Sequence, residues 1–262
     1  MLTFERYGDT RLPALSFFHG FMGSCADWDV VIDAFLDEYH CIAFDLPGHG
    51  ESRINQGAPA TDMAGTAKSI VEAWDALGVK RSAIVGYSMG ARLGLYLALK
   101  HASRIERAVL ESASPGLATE AERAARRKRD EALATALEDS PLEAFVRWWY
   151  EQPMFATLKS DPVRFERLVA KRLQNDPRGL AASLRTLGTG AQPPLWNALK
   201  KNRVPMLLIA GGMDDTYAAL AREIHEQTPL STAQIVPACG HNVHFENPEE
   251  YIRHLKPFLK AK

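Results

Sequence analysis

A serine flanked by two glycines stands in the stretch GYSMG, residues 86–90. Ile84 and Val85, just before it, end an apolar run of the β-strand type, and the residues after it have the pattern of a helix. A sharp turn between strand and helix lifts a serine Oγ above the edge of a sheet. The flanking glycines permit strand and helix to approach each other around such a turn. We therefore expect Ser88 to do chemistry; the alternative is that it only caps the helix.

A serine hydroxyl reacts when an imidazole takes its proton and a carboxylate orients that imidazole. Both partners follow Ser88 in the order Ser, Asp, His. Asp214, on the loop that leaves an apolar run, is the preferred acid, and Asp215 is the alternative. His241, at the end of the last strand-like run, is the preferred base. His244 is the alternative base, although its surroundings favour a packed or capping residue.

An oxyanion that forms near Ser88 needs two converging N–H donors. The sequence HGF, residues 19–21, follows the strand-like run ALSFF, and Met89 directly follows the serine. We therefore expect the backbone N–H groups of Phe21 and Met89 to be these donors. His19 is interpreted as a residue that shapes its loop rather than as a second base.

Short apolar runs that end in turn residues predict the strands that position these residues: ALSFFHG, CIAFDLPGHG, SAIVGYS, RAVLESASPG, VPMLLIAGG and AQIVPACGH. Nearly continuous runs of this kind are typical of strands that are covered on both faces. Helical segments lie between them, such as 62–77, where Asp62 is the expected N-cap and Gly78 ends the helix. Alternating strands and helices predict an α/β protein with a parallel sheet.

The alternation of strands and helices stops after Pro115. Residues 119 to about 195 show helical patterns and no convincing strand, and strands resume at Val204. We predict that residues 1–114 and 196–262 form an α/β core. Residues 115–195 are predicted to form a helical cap over the carboxyl ends of the strands, where open parallel sheets bind ligands.

Composition and charge exclude several kinds of partner. The 262 residues carry a formal net charge of -1, so no global field attracts nucleic acid or an anionic membrane. No apolar stretch approaches the roughly 20 residues that a membrane helix needs. Cys25, Cys41 and Cys239 are far apart and form no C-x-x-C motif, so neither disulfides nor a zinc site is indicated. We expect a soluble cytoplasmic protein.

Several motifs carry a family resemblance. HGFMGS, FDLPGHGES, VGYSMGAR and CGHNVHFENP are similar to motifs of the α/β-hydrolase fold superfamily. More narrowly, GYSMGAR, LESASPGL, ERAARRKRD, WYEQPMF and VAKR resemble the family of 2-succinyl-6-hydroxy-2,4-cyclohexadiene-1-carboxylate synthases of menaquinone biosynthesis. The narrower motifs reach into the predicted cap, so they say more about the substrate than the core motifs do. The resemblance implies a mostly parallel central sheet that is flanked by helices and carries a helical cap.

The resemblance also implies an elimination. The family's substrate bears a succinyl chain, a ring carboxylate and an enolpyruvyl ether; a ring-side proton is removed and pyruvate is expelled. Ser88, deprotonated through His241 and Asp214, would be the base. The N–H groups of Phe21 and Met89 would stabilise charge on the succinyl carbonyl oxygen. Such a reaction requires no acyl-enzyme, no metal and no cofactor.

A small polyanionic substrate calls for cationic side chains near Ser88. Arg92 lies four residues further along, on the same face of the helix. In the predicted cap, the family's motifs select two arginines whose forked guanidinium suits carboxylates. The residues that we expect to bind substrate are thus two aromatic and three arginine side chains: Tyr87, Arg92, Arg126, Trp149 and Arg172.

Two features near these residues qualify the resemblance. A basic run on a helix is usually a solvated face, and Arg127 and Arg129 are expected at the surface. Thr216 stands where the family's pattern has a basic residue, so contacts to the acid loop are expected to differ.

Two other functions are compatible with the same residues. A serine hydrolase, either a carboxylesterase or a carbon–carbon bond hydrolase, would use the same triad through a covalent intermediate. A non-catalytic small-molecule receptor would keep the pocket without needing the triad.

Overall fold

The computed structural model describes residues 2–53 and 61–260, and a seven-stranded sheet runs through it. The strands are β1 (Phe4–Tyr7), β2 (Ala14–Phe18), β3 (His40–Phe44), β4 (Ser82–Tyr87), β5 (Ile105–Glu111), β6 (Met206–Gly211) and β7 (Ser231–Val236). Their order across the sheet is β1-β3-β2-β4-β5-β6-β7. β1 runs antiparallel to β3, and the other neighbouring pairs are parallel. The predicted α/β fold with a mostly parallel sheet is confirmed.

Helices flank the sheet and fill the long connection between β5 and β6. They are α1 (Asp29–Asp33), α2 (Met63–Ala76), α3 (Met89–Lys100), α4 (Glu120–Asp139), α5 (Leu142–Trp149), α6 (Pro162–Arg172), α7 (Pro177–Leu187), α8 (Trp196–Leu199), α9 (Asp215–Gln227), α10 (Val243–Glu246) and α11 (Pro248–Lys260). As predicted, the Asp62 carboxylate caps α2 by accepting from the Gly65 N–H. Gly78 follows that helix with φ +72°, a conformation that glycine adopts without steric cost.

The two edge strands differ from the sequence prediction. β1 was not among the predicted runs, because its sequence FERY is short and has two charged residues that are exposed in the structure. β7 was expected to be covered on both faces, but burial alternates along most of it. An edge strand has a neighbour on one side only, so it tolerates polar side chains that a central strand would exclude.

The connection between β5 and β6 is helical, and each of its residues is described. Thr119 and Glu122 form a capping box at the start of α4. Helices α4 to α7 share an apolar cluster that includes Leu137, Phe145 and Leu184. No quoted helical pattern covered α7, although Asp176 caps it and Pro177 stands at its first position, which is a recognisable signal.

The division into a core and a cap at residues 115 and 195 stays a prediction. The predicted core range also includes residue 1, residues 54–60 and residues 261–262, which lie outside the described residues. Within residues 2–53 and 61–260, no helix has the length and apolar character needed to cross a bilayer. The three cysteines are buried free thiols.

Candidate active site

The turn between β4 and α3 holds Ser88 in a strained conformation. Its φ of +50° and ψ of -106° are rarely adopted by a residue with a Cβ. The Ser88 N–H donates to the carbonyl of Glu111 on β5, at 2.9 Å. A Cβ on Gly86 would lie 2.5 Å from the Gly90 oxygen, and a Cβ on Gly90 would lie 2.1 Å from the Phe18 oxygen. Only glycine fits at both positions, which explains the G-x-S-x-G spacing.

The structure brings Ser88, His241 and Asp214 together. The Ser88 Oγ lies 3.0 Å from Nε2 of His241, and Nδ1 of His241 lies 2.7 Å from Oδ2 of Asp214. The other carboxylate oxygen of Asp214 accepts from the Tyr217 N–H at the start of α9. Because the carboxylate can only accept, Nδ1 carries the proton and Nε2 is left to accept the serine proton.

The alternative acid and base lie elsewhere. Nδ1 of His244 is 2.7 Å from the buried carboxylate of Glu111, and its ring stacks on Trp28 with 4.3 Å between centroids. Asp215 is exposed at the first position of α9. Of the two histidines and two aspartates that the sequence left open, His241 and Asp214 are therefore the pair in contact with each other, and His241 also contacts Ser88.

His19 is buried and joins two loops. Its Nδ1 donates to the Gly20 carbonyl at 2.7 Å, and its Nε2 accepts from the Leu46 N–H at 2.9 Å. Burial lowers the pKa of this imidazole, which suits a neutral ring with both nitrogens engaged. This geometry agrees with a residue that shapes its loop.

The two expected oxyanion donors flank Ser88. Phe21 and Met89 both line the cavity that Ser88 faces. Within the described part of the chain, neither backbone N–H donates to a protein acceptor. Met89 is the first residue of α3, where backbone N–H groups have no partner inside the helix and the helix dipole favours negative charge. Both N–H groups are therefore free to donate to a ligand.

A cavity of about 280 Å³ lies between Ser88 and helices α4 to α7. Nine of the ten residues that the sequence singled out line this cavity: Phe21, Tyr87, Ser88, Met89, Arg92, Arg126, Trp149, Arg172 and His241. The tenth, Asp214, is buried behind His241. The structure thus places the ten residues at or next to one cavity.

Arg92 and Arg126 differ in their partners. Arg92 is buried and donates to the side-chain oxygen of Gln192 at 3.2 Å. Burial lowers the pKa of Arg92 to about 10, so its charge persists at neutral pH. Arg126 donates from Nε to the carboxylate of Asp130 at 2.7 Å. Its charge is already balanced by an acidic neighbour, whereas that of Arg92 is not.

Arg172 is a buried member of an ion pair. Its Nη1 lies 2.8 Å from the carboxylate of Asp27, and its Nε donates to the Tyr150 hydroxyl at 3.0 Å. Burial alone would lower the pKa of Arg172, but the charge of Asp27 and these hydrogen bonds outweigh it and raise the pKa. This pair joins α6 to the loop after β2, a contact between residues 145 positions apart.

Arg127 and Arg129 both lie at the surface, as expected, but they differ in their relation to the cavity. Arg127 is exposed and pairs with Glu120. Arg129 is exposed too, but it lines the cavity. Arg126, Arg129 and Leu133 recur at three- and four-residue spacing on α4, so they share the face that meets the cavity.

Aromatic side chains form much of the remaining wall. The ring centroid of Trp149 lies 5.1 Å from that of Phe21, and Tyr87 lies 5.4 Å from His241. Two further rings that the sequence did not single out contact His241, namely Tyr217 at 4.4 Å and Phe155 at 5.5 Å. Each had a sequence signal: Tyr217 stands three residues after the acid, and Phe155 ends the motif WYEQPMF, in which only Trp149 was selected.

Comparisons with known proteins agree with this geometry. The family model of the alpha/beta hydrolase fold matches residues 13–248. The chain is 36% identical to a Bacillus subtilis (strain 168) protein proposed to be a 2-succinyl-6-hydroxy-2,4-cyclohexadiene-1-carboxylate synthase, over 97% of this chain and 93% of that protein. It is 33% identical to the synthase of that name from Escherichia coli O1:K1 / APEC, over 97% of both chains. The solved structure of MenH from S. aureus superposes with a TM-score of 0.94 at 33% identity, over 99% of this chain and 98% of that one.

Proposed function

The chain belongs to the α/β-hydrolase fold family and, within it, to the 2-succinyl-6-hydroxy-2,4-cyclohexadiene-1-carboxylate synthases, and from this premise we propose its reaction. It eliminates pyruvate from 2-succinyl-5-enolpyruvyl-6-hydroxy-3-cyclohexene-1-carboxylate in menaquinone biosynthesis. The observation that carries this function is similarity over 97% of the chain. A match of that extent includes helices α4 to α7, which line the cavity.

The charge of the cavity supports an anionic substrate. The substrate has three carboxylates, on the ring, on the succinyl chain and on the enolpyruvyl group. Four arginines line the cavity, and none of the described lining residues is Asp or Glu: the arginines are Arg92, Arg126, Arg129 and Arg172. Since the protein's formal net charge is -1, this is a local concentration of positive charge. It fits a small polyanion.

The proposed role of Ser88 is that of the base. His241 takes the serine proton, and Asp214 stabilises the imidazolium that forms. The serine oxygen then removes the proton from the ring carbon that bears the succinyl carbonyl. The electron pair of that C–H bond passes to the carbonyl oxygen as an enolate, which the N–H groups of Phe21 and Met89 receive. One donor of this kind is typically worth on the order of 10²- to 10³-fold in rate.

Collapse of the enolate expels the leaving group. The electron pair returns to form a second ring double bond, the existing one shifts, and the bond from the ring to the enolpyruvyl oxygen breaks. The departing enolpyruvate takes up a proton and becomes pyruvate. The serine carries no acyl group at any step, which separates this reaction from hydrolysis on the same triad.

Two further parts of the proposal concern the whole protein. We assign residues 115–195 the role of a cap. Helices from this range supply Arg126, Trp149 and Arg172 to a cavity that is also lined by Tyr87, at the carboxyl end of β4. We place the protein in the cytoplasm, which is supported by three cysteines that are buried thiols rather than disulfides.

The test is pyruvate release from the enolpyruvyl substrate, followed with coupled lactate dehydrogenase. The wild-type protein is compared with Ser88→Ala, with the exposed serine control Ser160→Ala, and with a blank that corrects for spontaneous elimination. Release that is fast in the wild type and in the control but lost in Ser88→Ala supports the proposal. Release at the blank rate, or a burst of acyl-enzyme with p-nitrophenyl acetate, would favour a serine hydrolase instead.

A further inference from the structure

The positive charges of the cavity are not equivalent. Arg126 is balanced by Asp130, and Arg172 is balanced by Asp27. These two guanidinium groups can still donate hydrogen bonds, but each already has an acidic partner. Much of their attraction for an incoming anion is therefore cancelled.

Arg129 has no such partner. Its side chain makes no hydrogen bond or ion pair with any residue in 2–53 or 61–260. Arg129 is exposed, and Trp148, which also lines the cavity, is 51% exposed, so these two side chains mark the opening of the cavity toward solvent. Arg92, the other lining arginine without an acidic partner, is buried one helical turn beyond Ser88. The cavity thus has two arginines without an acidic partner, one buried and one exposed.

We propose that Arg129 is a specificity-determining residue that captures one carboxylate of the substrate at the mouth of the cavity. The proposal rests on the function assigned above and adds a residue to it. An arginine with all its donors free can bind a carboxylate through two parallel N–H···O bonds. Because Arg129 lies at the solvent opening of the cavity, it can attract and orient the substrate before the substrate reaches Ser88.

The exposure of Arg129 determines the size and the kind of effect. Solvent screens an exposed ion pair, so capture contributes less than a buried pair would. Salt screens it further, because the Debye length falls from about 30 Å at 0.01 M ionic strength to about 3 Å at 1 M. Loss of Arg129 is therefore expected to weaken the capture of substrate and to reduce the salt dependence of that capture. The rate of proton transfer to Ser88 is expected to stay unchanged.

The experiment compares Arg129→Ala, Arg129→Lys and the control Lys128→Ala by steady-state pyruvate release. Lys128 is the adjacent residue on α4, is exposed, and does not line the cavity, so its removal changes the net charge equally. In Arg129→Ala we expect KM to rise about 3- to 10-fold with kcat within about 2-fold of the wild type. Arg129→Lys should recover part of the loss at low salt, and Lys128→Ala should match the wild type.

The salt series supplies a second readout. The wild type and Lys128→Ala should lose kcat/KM with rising ionic strength more steeply than Arg129→Ala does. Equal KM values and equal salt slopes in Arg129→Ala and Lys128→Ala would overturn the capture role, as would a fall in kcat without a change in KM. Each of these outcomes leaves the elimination standing, whereas a wild type that releases no pyruvate contradicts the proposed function itself.

Discussion

Glu111 and His244 form a second buried carboxylate–imidazole pair, with 2.7 Å between Oε2 of Glu111 and Nδ1 of His244. It lies next to the pair formed by Asp214 and His241 in the chain, since His244 follows His241 by three residues. Glu111 also accepts from the His244 N–H at 3.2 Å, and its own carbonyl accepts from the Ser88 N–H. The second pair thus holds together the end of β5, the serine turn and the short helix that follows His241. It does this without contacting the Ser88 hydroxyl.

We expect His244→Gln and His241→Gln to separate stability from catalysis. His241→Gln removes the proton acceptor and should lower pyruvate release by about 10²- to 10⁴-fold. His244→Gln leaves Ser88, His241 and Asp214 in place; it should cost about 1–3 kcal/mol of unfolding free energy through a poorly satisfied Glu111 and keep most activity. Urea unfolding and kcat measured on the same preparations check this. A folded but inactive His244→Gln protein would contradict the assignment of the base.

The buried pair of Asp27 and Arg172 predicts a dependence of stability on pH. Burial alone would raise the pKa of Asp27, but the charge and hydrogen bonds of Arg172 outweigh it and lower the pKa below the ordinary 3.8. The folded state therefore binds this proton less readily than the unfolded state. The stability that the pair contributes is present above about pH 4 and is lost as the pH falls further, through the lowered pKa.

Asp27→Asn tests this pair. Removal of one partner leaves the Arg172 charge buried and unbalanced, so we expect a loss of about 3–5 kcal/mol in unfolding free energy at neutral pH. The difference from wild type should shrink as the pH falls below about 4, where Asp27 is protonated in the unfolded state, and should vanish only below its lowered pKa in the folded state. Glu143→Gln, in the exposed pair with Arg147, is the control and should change stability by less than about 1 kcal/mol. A difference that stays constant down to low pH would contradict the lowered pKa.

Gly90→Ala should damage the serine turn more than its size suggests. A Cβ there would meet the Phe18 oxygen at 2.1 Å, and backbone must move to relieve the clash. We expect the free energy of unfolding to fall by about 1–3 kcal/mol or more, and pyruvate release to be lost, since Ser88 moves with the turn. Gly78→Ala is the control: its φ of +72° costs roughly 1–2 kcal/mol, but no atom lies within 4 Å of the added Cβ. Equal kcat values in the two variants would contradict the argument.

If residues 115–195 act as a cap, substrate should slow their exchange of backbone amide hydrogens. A ligand held by Arg126, Trp149 and Arg172 would link these helices to the strand ends and reduce their local opening. Hydrogen exchange followed by mass spectrometry, with the inactive Ser88→Ala protein and intact substrate, measures this directly. The core strands β4 and β5 are the internal reference. The same protection in the cap helices and in these strands would argue against a gating role.

The amino-acid sequence was sufficient for the features that depend on short segments of chain. The strand, turn and helix around Ser88 are specified locally, because glycines at positions 86 and 90 permit a close approach that other residues forbid. The central strands could be read from their continuous apolar runs. The order of serine, aspartate and histidine left two candidates for the acid, Asp214 and Asp215, and two for the base, His241 and His244.

Only the tertiary structure decided between those candidates, and it did so through contacts between residues far apart in the chain. His241 rather than His244 contacts Ser88 because α10 turns the later histidine toward Glu111, 133 positions away. Arg172 is matched by Asp27, and Arg129 faces the cavity while Arg127 faces away. A local pattern sets which residues share a face of an element; which face meets another element depends on how the whole chain packs.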